Sequence, residues 1–227
     1  METKTLKKNL ETIHHNLSFY LQKTPPIKIM AVSKQQAKPA IEKAQNQGLT
    51  IFGENKVQEA EQKKDIYSNK IELHWIGHLQ SNKVKKAVNI FNVIQSVDSY
   101  KIANKINKEA KLINKNQRIY IQVNIGNDPN KHGFLEEGIE EEIRKISVFQ
   151  NITIEGIMTI LPFEITNQEK EKLYIKTKKL KDIISVKIKS CVELSMGMSS
   201  DYLCAAQCGA TMVRIGTSLF GARPKWV

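Results

Sequence analysis

Lys34 stands at the end of an apolar run, Ile27-Lys28-Ile29-Met30-Ala31-Val32-Ser33-Lys34, that begins just after Pro25-Pro26. The run reads as a buried strand, and the polar Gln35 and Gln36 mark the way into a helix. A lysine at the mouth of such a strand is partly desolvated, which disfavours its charged form and raises the fraction of free amine. A neutral amine in a pocket is what an aldehyde cofactor needs to form a Schiff base. The plainer alternative is a lysine that snorkels from a strand end to solvent.

Two later segments carry chemistry of another kind. Ser195-Met196-Gly197-Met198-Ser199-Ser200-Asp201 follows a short apolar run and opens a helix that Ser199 or Ser200 can cap. The free amides and positive dipole end of such a helix suit an anion. Arg214-Ile215-Gly216-Thr217 ends another apolar run; Gly216 lets the backbone approach a ligand and Thr217 offers a hydroxyl. A helix cap and an ordinary glycine turn would account for the same residues.

The elements that must position these groups alternate along the chain. Strands are expected at 27–33, 49–52, 73–76, 93–96, 119–124, 152–159, 192–195 and 212–215, after a leading helix over 6–21. Between them lie stretches with helical apolar spacing, such as Ile102, Ile106, Ala110 and Ile113. Strands alternating with helices imply a parallel sheet with right-handed crossovers. Eight of them predict an α/β fold, a single (β/α)8 TIM barrel domain over 1–227 with an extra N-terminal helix. An open doubly wound sheet is the competing reading, but no strand is followed by a G-x-G-x-x-G fingerprint. In a barrel, chemistry gathers at the carboxyl ends of the strands, and the loops after strands seven and eight recur as a phosphate site. The Ser195 and Arg214 segments fall in those two loops.

Composition narrows the function classes. Hydrophobic content of 41% and charged content of 26% are ordinary for a soluble globular protein. No apolar stretch approaches the roughly 20 residues of a membrane span, and Met1-Glu2-Thr3-Lys4 leads into a polar amphipathic segment, so a cytoplasmic location is expected. Cys191, Cys204 and Cys208 are too few and odd in number for a disulfide framework, and no nearby His or Cys completes a metal set around them. The net charge of +12 is almost all lysine spread along helices, as at Lys101, Lys105, Lys108 and Lys111. A nucleic-acid face would interleave arginines and aromatics, so a solvated lysine surface without a specific nucleic-acid site is expected.

Several segments, taken in order, are similar to a known family. They are Ala31–Lys34, Phe52-Gly53-Glu54-Asn55-Lys56-Val57-Gln58-Glu59, His74-Trp75-Ile76-Gly77-His78-Leu79-Gln80-Ser81-Asn82-Lys83, Lys131-His132-Gly133-Phe134, Gly156-Ile157-Met158-Thr159, Leu194–Asp201 and Val213–Gly221. They closely resemble the YggS/PROSC family of pyridoxal 5′-phosphate (PLP) homeostasis proteins. Two positions depart from its pattern: Lys56, where many members carry an aromatic residue, and Ile157, where leucine is frequent. The resemblance implies a fold-type III barrel like the alanine racemase N-terminal domain, with Lys34 as the Schiff-base lysine. It also implies that Arg214 faces the pyridine nitrogen and that the segments from Ser195 (with Gly197 and Ser199) and from Gly216 (with Thr217) hold the phosphate.

Other residues have two readings each. Asn55 is a candidate to orient the lysine or the cofactor's phenolic oxygen, or else a loop-stabilising asparagine. Met158 packs against the cofactor ring or belongs to the core. His78 acts at the cofactor mouth or is a hydrogen-bonded structural histidine. Lys56 and Lys83 read as surface residues, and Glu140, Glu141 and Glu142 as a solvated helix face.

The expected function is a PLP carrier or buffer that meets PLP-dependent apo-enzymes transiently. The enzyme alternative is an amino-acid racemase, which needs a second acid/base opposite the lysine. In alanine racemases that group is a tyrosine completed through an additional C-terminal domain. Here Gly221-Ala222-Arg223-Pro224-Lys225-Trp226-Val227 follows the eighth strand, so no such domain and a monomer are expected, with His78 or Tyr202 as possible substitutes for the tyrosine.

Overall fold

The computed structural model describes residues 3–23 and 25–222. The 223–227 tail and the first two residues, on which the expectations about the chain ends rested, lie outside the described residues. Helix α1 (Thr3–Leu21) precedes the alternation β1 (Lys28–Val32), α2 (Lys38–Asn46), β2 (Ile51–Glu54), α3 (Val57–Lys63), β3 (Glu72–Trp75), α4 (Val84–Ile90), β4 (Val93–Val97) and α5 (Tyr100–Leu112). The second half runs β5 (Gln117–Val123), α6 (Ile139–Ser147), β6 (Ile152–Thr159), α7 (Asn167–Lys187), β7 (Glu193–Ser195), α8 (Tyr202–Gln207), β8 (Met212–Ile215) and α9 (Thr217–Phe220). The strands form a closed parallel barrel in chain order, with β8 pairing back onto β1. The open doubly wound alternative is thereby excluded.

The helices form for local reasons that the sequence displays. Helix α1 buries Leu6, Leu10, Ile13 and Leu17, spaced three and four apart on one stripe. Each such side chain removed from water contributes about 1.5–3 kcal/mol. Helix α1 is tied to the end of the barrel by Asn9 Nδ2 donating to the Leu219 carbonyl (3.0 Å) and Asn16 Nδ2 to Tyr202 Oη (2.8 Å). Helix α5 starts at Ser99, whose Oγ accepts from the Ile102 amide, and buries Ile102, Ala103, Ile106 and Ala110. Ile113 lies past its end and is exposed, because Asn114 with positive φ turns the chain toward β5.

Strand β2 starts two residues later than expected. Leu49 is buried in the turn that leaves α2, its amide bonded to the Ala44 carbonyl, and Gly48 adopts the left-handed φ of 86° that such a turn favours. Burial alone therefore made Leu49 look like strand. Glu140, Glu141 and Glu142 form the first turn of α6, where Arg144 pairs with Glu141 and Lys145 with Glu142 from the next turn, and Lys187 of α7 pairs with Glu140. No described helix is long and apolar enough to cross a membrane.

The barrel lumen is partly polar. Strands β4 and β7 are not neighbours in the closed ring, yet Ser195 Oγ donates to Gln95 Oε1 at 2.8 Å, a bond that must cross the interior. Val93, Tyr120 and Met158 fill the lumen beside it as a small apolar cluster.

Candidate functional site

A cavity of about 770 Å³ opens at the carboxyl ends of the strands. Lys34, Arg214, Ser199, Gly216 and Thr217, all singled out from the sequence, line it, together with Val32, Ile76, Ile160, Phe163 and Met198. Four other candidates do not. Met158 is fully buried in the lumen cluster, with Ile160 between it and the cavity, so it is core. Ser195 lies beneath Arg214 as its hydrogen-bond acceptor. Gly197 is buried at φ 88°, its carbonyl accepting from the Arg214 amide, and a Cβ there would meet the Ala205 methyl at 2.5 Å. Asn55 packs under Gly77, where an added Cβ would lie 2.7 Å from the Asn55 carbonyl, and its Oδ1 is a buried acceptor with no partner among the described residues.

Lys34 is half-buried just beyond β1. The peptide on either side of it is gripped from outside the barrel. Lys63 Nζ, on α3, donates to the Ser33 carbonyl at 2.9 Å, and the Gln35 amide donates to Glu59 Oε1. Lys63 also donates to Glu59 Oε1 (2.6 Å) and to Glu54 Oε1 (3.0 Å), where Ser33 Oγ and Tyr67 Oη converge as well. Glu54 and Lys63 are both buried. Burial pushes the Glu54 carboxyl above its ordinary value, while Lys63 and Ser33 act to lower it. Gln35 takes a left-handed φ of 60°, a conformation a non-glycine residue holds only when its surroundings impose it. The Glu59 bond to its amide does so.

Arg214 is held differently. Only 4% of it is exposed; Nη1 donates to Ser195 Oγ (2.8 Å) and Nη2 to the Thr159 carbonyl (2.7 Å). Both acceptors are neutral, and burial pushes the guanidinium down to about 10, opposed by Tyr174 and Asp201. The chain of bonds continues inward: Ser195 Oγ to Gln95 Oε1, Gln95 Nε2 to His74 Nδ1 (2.9 Å), and His74 Nε2 to Glu72 Oε1 (2.6 Å). Arg118 closes it, donating to Glu72 Oε2 (2.6 Å) and Glu155 Oε1 (2.5 Å). The direction of every bond is fixed by its ends. A guanidinium only donates and a carboxylate only accepts. Burial lowers the His74 pKa, so the ring is neutral, with its proton on Nε2 toward Glu72 and its lone pair on Nδ1 toward the Gln95 amide.

The loops after β7 and β8 are stitched to each other. Ser199 Oγ accepts from the amides of Gly216 and Ser218, both at 3.2 Å. Ser199 and Ser200 do not cap a helix as expected. Helix α8 begins at Tyr202 behind Asp201, whose Oδ1 accepts from the Met198 amide at 2.6 Å instead. His78 is exposed, its Nδ1 3.1 Å from Asp98 Oδ2, as a hydrogen-bonded histidine of the rim. Lys56 is exposed and Lys83 half-buried. Tyr202 Oη accepts from Asn16 Nδ2 of α1, and Tyr202 does not line the cavity. Cys191 and Cys208 are buried thiols, each pushed up to about 12 by burial.

Sequence reasoning passed over Lys63, Glu59, Gln95 and His74 as site-supporting residues. Glu59 and Lys63 carried a signal, an i,i+4 acid–base pair on a helix directly after the Glu54 strand. Gln95 carried one too, an amide side chain inside a fully buried strand.

Comparison with known proteins agrees with this architecture. A model of the alanine racemase N-terminal domain matches residues 9–224. The pyridoxal phosphate homeostasis protein of Synechocystis sp. is 38% identical over 202 residues, covering 88% of this chain and 93% of the relative. This chain belongs to the pyridoxal phosphate homeostasis protein family. Among solved structures, PipY of Synechococcus elongatus with PLP bound superposes with a TM-score of 0.85 at 32% identity, covering 95% of this chain and all of PipY. An alanine racemase from Clostridium difficile superposes with a TM-score of 0.81 at 19% identity, over 98% of this chain and 58% of the racemase, a likeness of fold alone.

Proposed function

We propose that this chain binds PLP in the strand-end cavity through Lys34 and serves as a cytoplasmic, monomeric carrier that buffers the cofactor and passes it to PLP-dependent apo-enzymes. The observation that carries this reading is Arg214. A guanidinium buried beside a lysine-lined cavity, with only neutral hydrogen-bond acceptors, retains donors for an acceptor on a ligand. The buried Oδ1 of Asn55, in the loop after β2, is a second polar atom without a partner among the described residues. The PLP bound in PipY, a relative at 32% identity, supports the same ligand.

Bound PLP supplies an aldehyde that an amine can capture and a ring that can withdraw electrons. Lys34 offers the amine, and the bonds to Ser33 and Gln35 fix where its Cα stands. Arg214, as a donor-only group, favours an unprotonated ring nitrogen and so weakens the electron sink. The hydroxyls of Ser199, Ser200 and Thr217 suit the phosphate. Val32, Ile76, Ile160 and Met198 exclude water from the ring. The described cavity wall contains no carboxylate, imidazole, phenol or thiol, which supports a carrier over a two-base racemase.

Borohydride reduction of the PLP-loaded protein should fix the cofactor onto the single peptide that carries Lys34. If Lys34→Ala trapped the same adduct to the same extent, the site would be misassigned. In parallel, we expect negligible α-proton exchange of L- or D-alanine in deuterated water, with measurable handover of PLP to an apo-enzyme trap. Turnover of roughly 1 per second or more would make the protein a racemase.

A further inference from the structure

A second cluster of potential ligands occupies the carboxyl rim, on residues that do not line the cavity. His78, Asp98 and His132 come from the three consecutive loops after β3, β4 and β5, and their potential ligand atoms all lie within 4.8 Å of one another. The two imidazoles stack with centroids 3.6 Å apart and planes 12° from parallel, and Asp98 Oδ2 approaches His78 Nδ1 at 3.1 Å.

The backbone that carries each ligand is anchored to a strand. Ser96 Oγ donates to the carbonyl of Gly77, next to His78, at 2.5 Å. Ser99 Oγ donates to Asp98 Oδ1 at 3.2 Å while accepting from the Ile102 amide, which locks Asp98 at the start of α5. Gln122 Nε2 donates to the His132 carbonyl at 2.7 Å, and Asn124 Nδ2 to the Lys131 carbonyl at 3.2 Å. The loop can fold this tightly onto β5 because residue 133 is glycine at φ 135°, where a Cβ would lie 2.6 Å from the Asn124 amide nitrogen. The neighbouring cation, Lys131, is drawn toward Asp128 at 3.9 Å.

We propose that His78, Asp98 and His132 form a binding site for a borderline divalent transition-metal ion of the zinc, nickel, cobalt or copper type. Two imidazoles and one carboxylate are a nitrogen-rich donor set, which such ions favour and which Mg²⁺ and Ca²⁺ do not. Ligand atoms around a tetrahedral ion at about 2.1 Å stand roughly 3.4 Å apart. Closing from 4.8 Å therefore takes a shift on the order of 1 Å, which exposed imidazole side chains on anchored backbones can make. Water completes the shell on the exposed side.

Zn²⁺ titrated calorimetrically into the tag-free, full-length protein tests this, with electron paramagnetic resonance of the Cu²⁺-loaded protein as the second readout. One equivalent should bind, the Cu²⁺ spectrum should show imidazole nitrogen couplings, and His132→Ala or Asp98→Asn should each weaken binding by more than about tenfold. His14→Ala/His15→Ala and Cys204→Ser/Cys208→Ser, the other histidine and cysteine pairs, should leave it unchanged. The proposal is overturned if no ion binds, if binding survives His78→Ala/His132→Ala, or if it depends on either control pair. Circular dichroism of each variant separates loss of the site from loss of the fold.

Discussion

The two cationic side chains of the cavity are held by different parts of the molecule. Lys34 is held through its neighbours' backbone, by the buried Lys63–Glu54–Glu59 group packed outside β1 and β2. Arg214 is held through its own guanidinium, by a one-way chain of bonds inside the barrel that ends on Glu72 and Arg118. The outer group fixes a position by gripping the peptide on either side of Lys34. The inner chain fixes an orientation and a charge state. Under the proposed function, a lysine that captures and releases an aldehyde needs the first kind of support, and an arginine that keeps presenting a donor needs the second.

The largest expected effect comes from breaking the outer group. Lys63→Met leaves two carboxylates in a buried site without their cation, which costs roughly 3–5 kcal/mol when one partner of such a pair is removed. Urea denaturation of the variant measures it; a loss below about 1 kcal/mol would mean the group does not brace the fold. Borohydride-trapped label at Lys34 should also fall, while any cofactor that remains bound keeps its absorbance spectrum.

The inner chain should show itself in acid. Burial would raise the Glu72 carboxyl, but hydrogen bonds from His74 and Arg118 outweigh that and hold it at about 2, below its ordinary 4.5. A carboxyl whose folded pKa is depressed stabilises the fold above the ordinary value, and that contribution fades as pH falls from 4.5 toward 2. Its ceiling is roughly 3 kcal/mol, reduced because Glu72 is partly exposed. Stability of Glu72→Gln should therefore fall less steeply than that of the parent protein across this window. Parallel acid limbs for the two proteins would remove Glu72 from the account. Glu54 has the opposite sign: its raised pKa favours the fold at low pH, and the benefit is lost as pH rises through the folded value.

The smallest effect tests the middle of the chain. Gln95→Leu leaves the buried His74 Nδ1 without its donor and the Ser195 hydroxyl proton without its acceptor, a cost of about 1–3 kcal/mol. Its signature should be the reverse of Lys63→Met, with label at Lys34 retained and the absorbance of bound PLP and its pH dependence altered as Arg214 loses its rail. If both variants moved the same readout, the division between position and orientation would be wrong.

The sequence by itself determined what depends on neighbours along the chain. Hydrophobic periodicity placed β6 and β8 to the residue, and the apolar run ending at Lys34 put an amine at a strand mouth. These are one-dimensional signals, because each reflects which face of a single element meets the core. Tertiary structure decided the rest. That Lys63 reaches the Ser33 carbonyl, thirty residues away, depends on how α3 lies against β1. That Gln95 meets Ser195, one hundred residues away, depends on closure of the barrel, which alone brings β4 and β7 to face each other. The cap expected at Ser199 or Ser200 gave way to another tertiary contact. Pairing of β7 with β8 brings the Gly216 and Ser218 amides to the Ser199 hydroxyl, a partner that no local pattern could reveal.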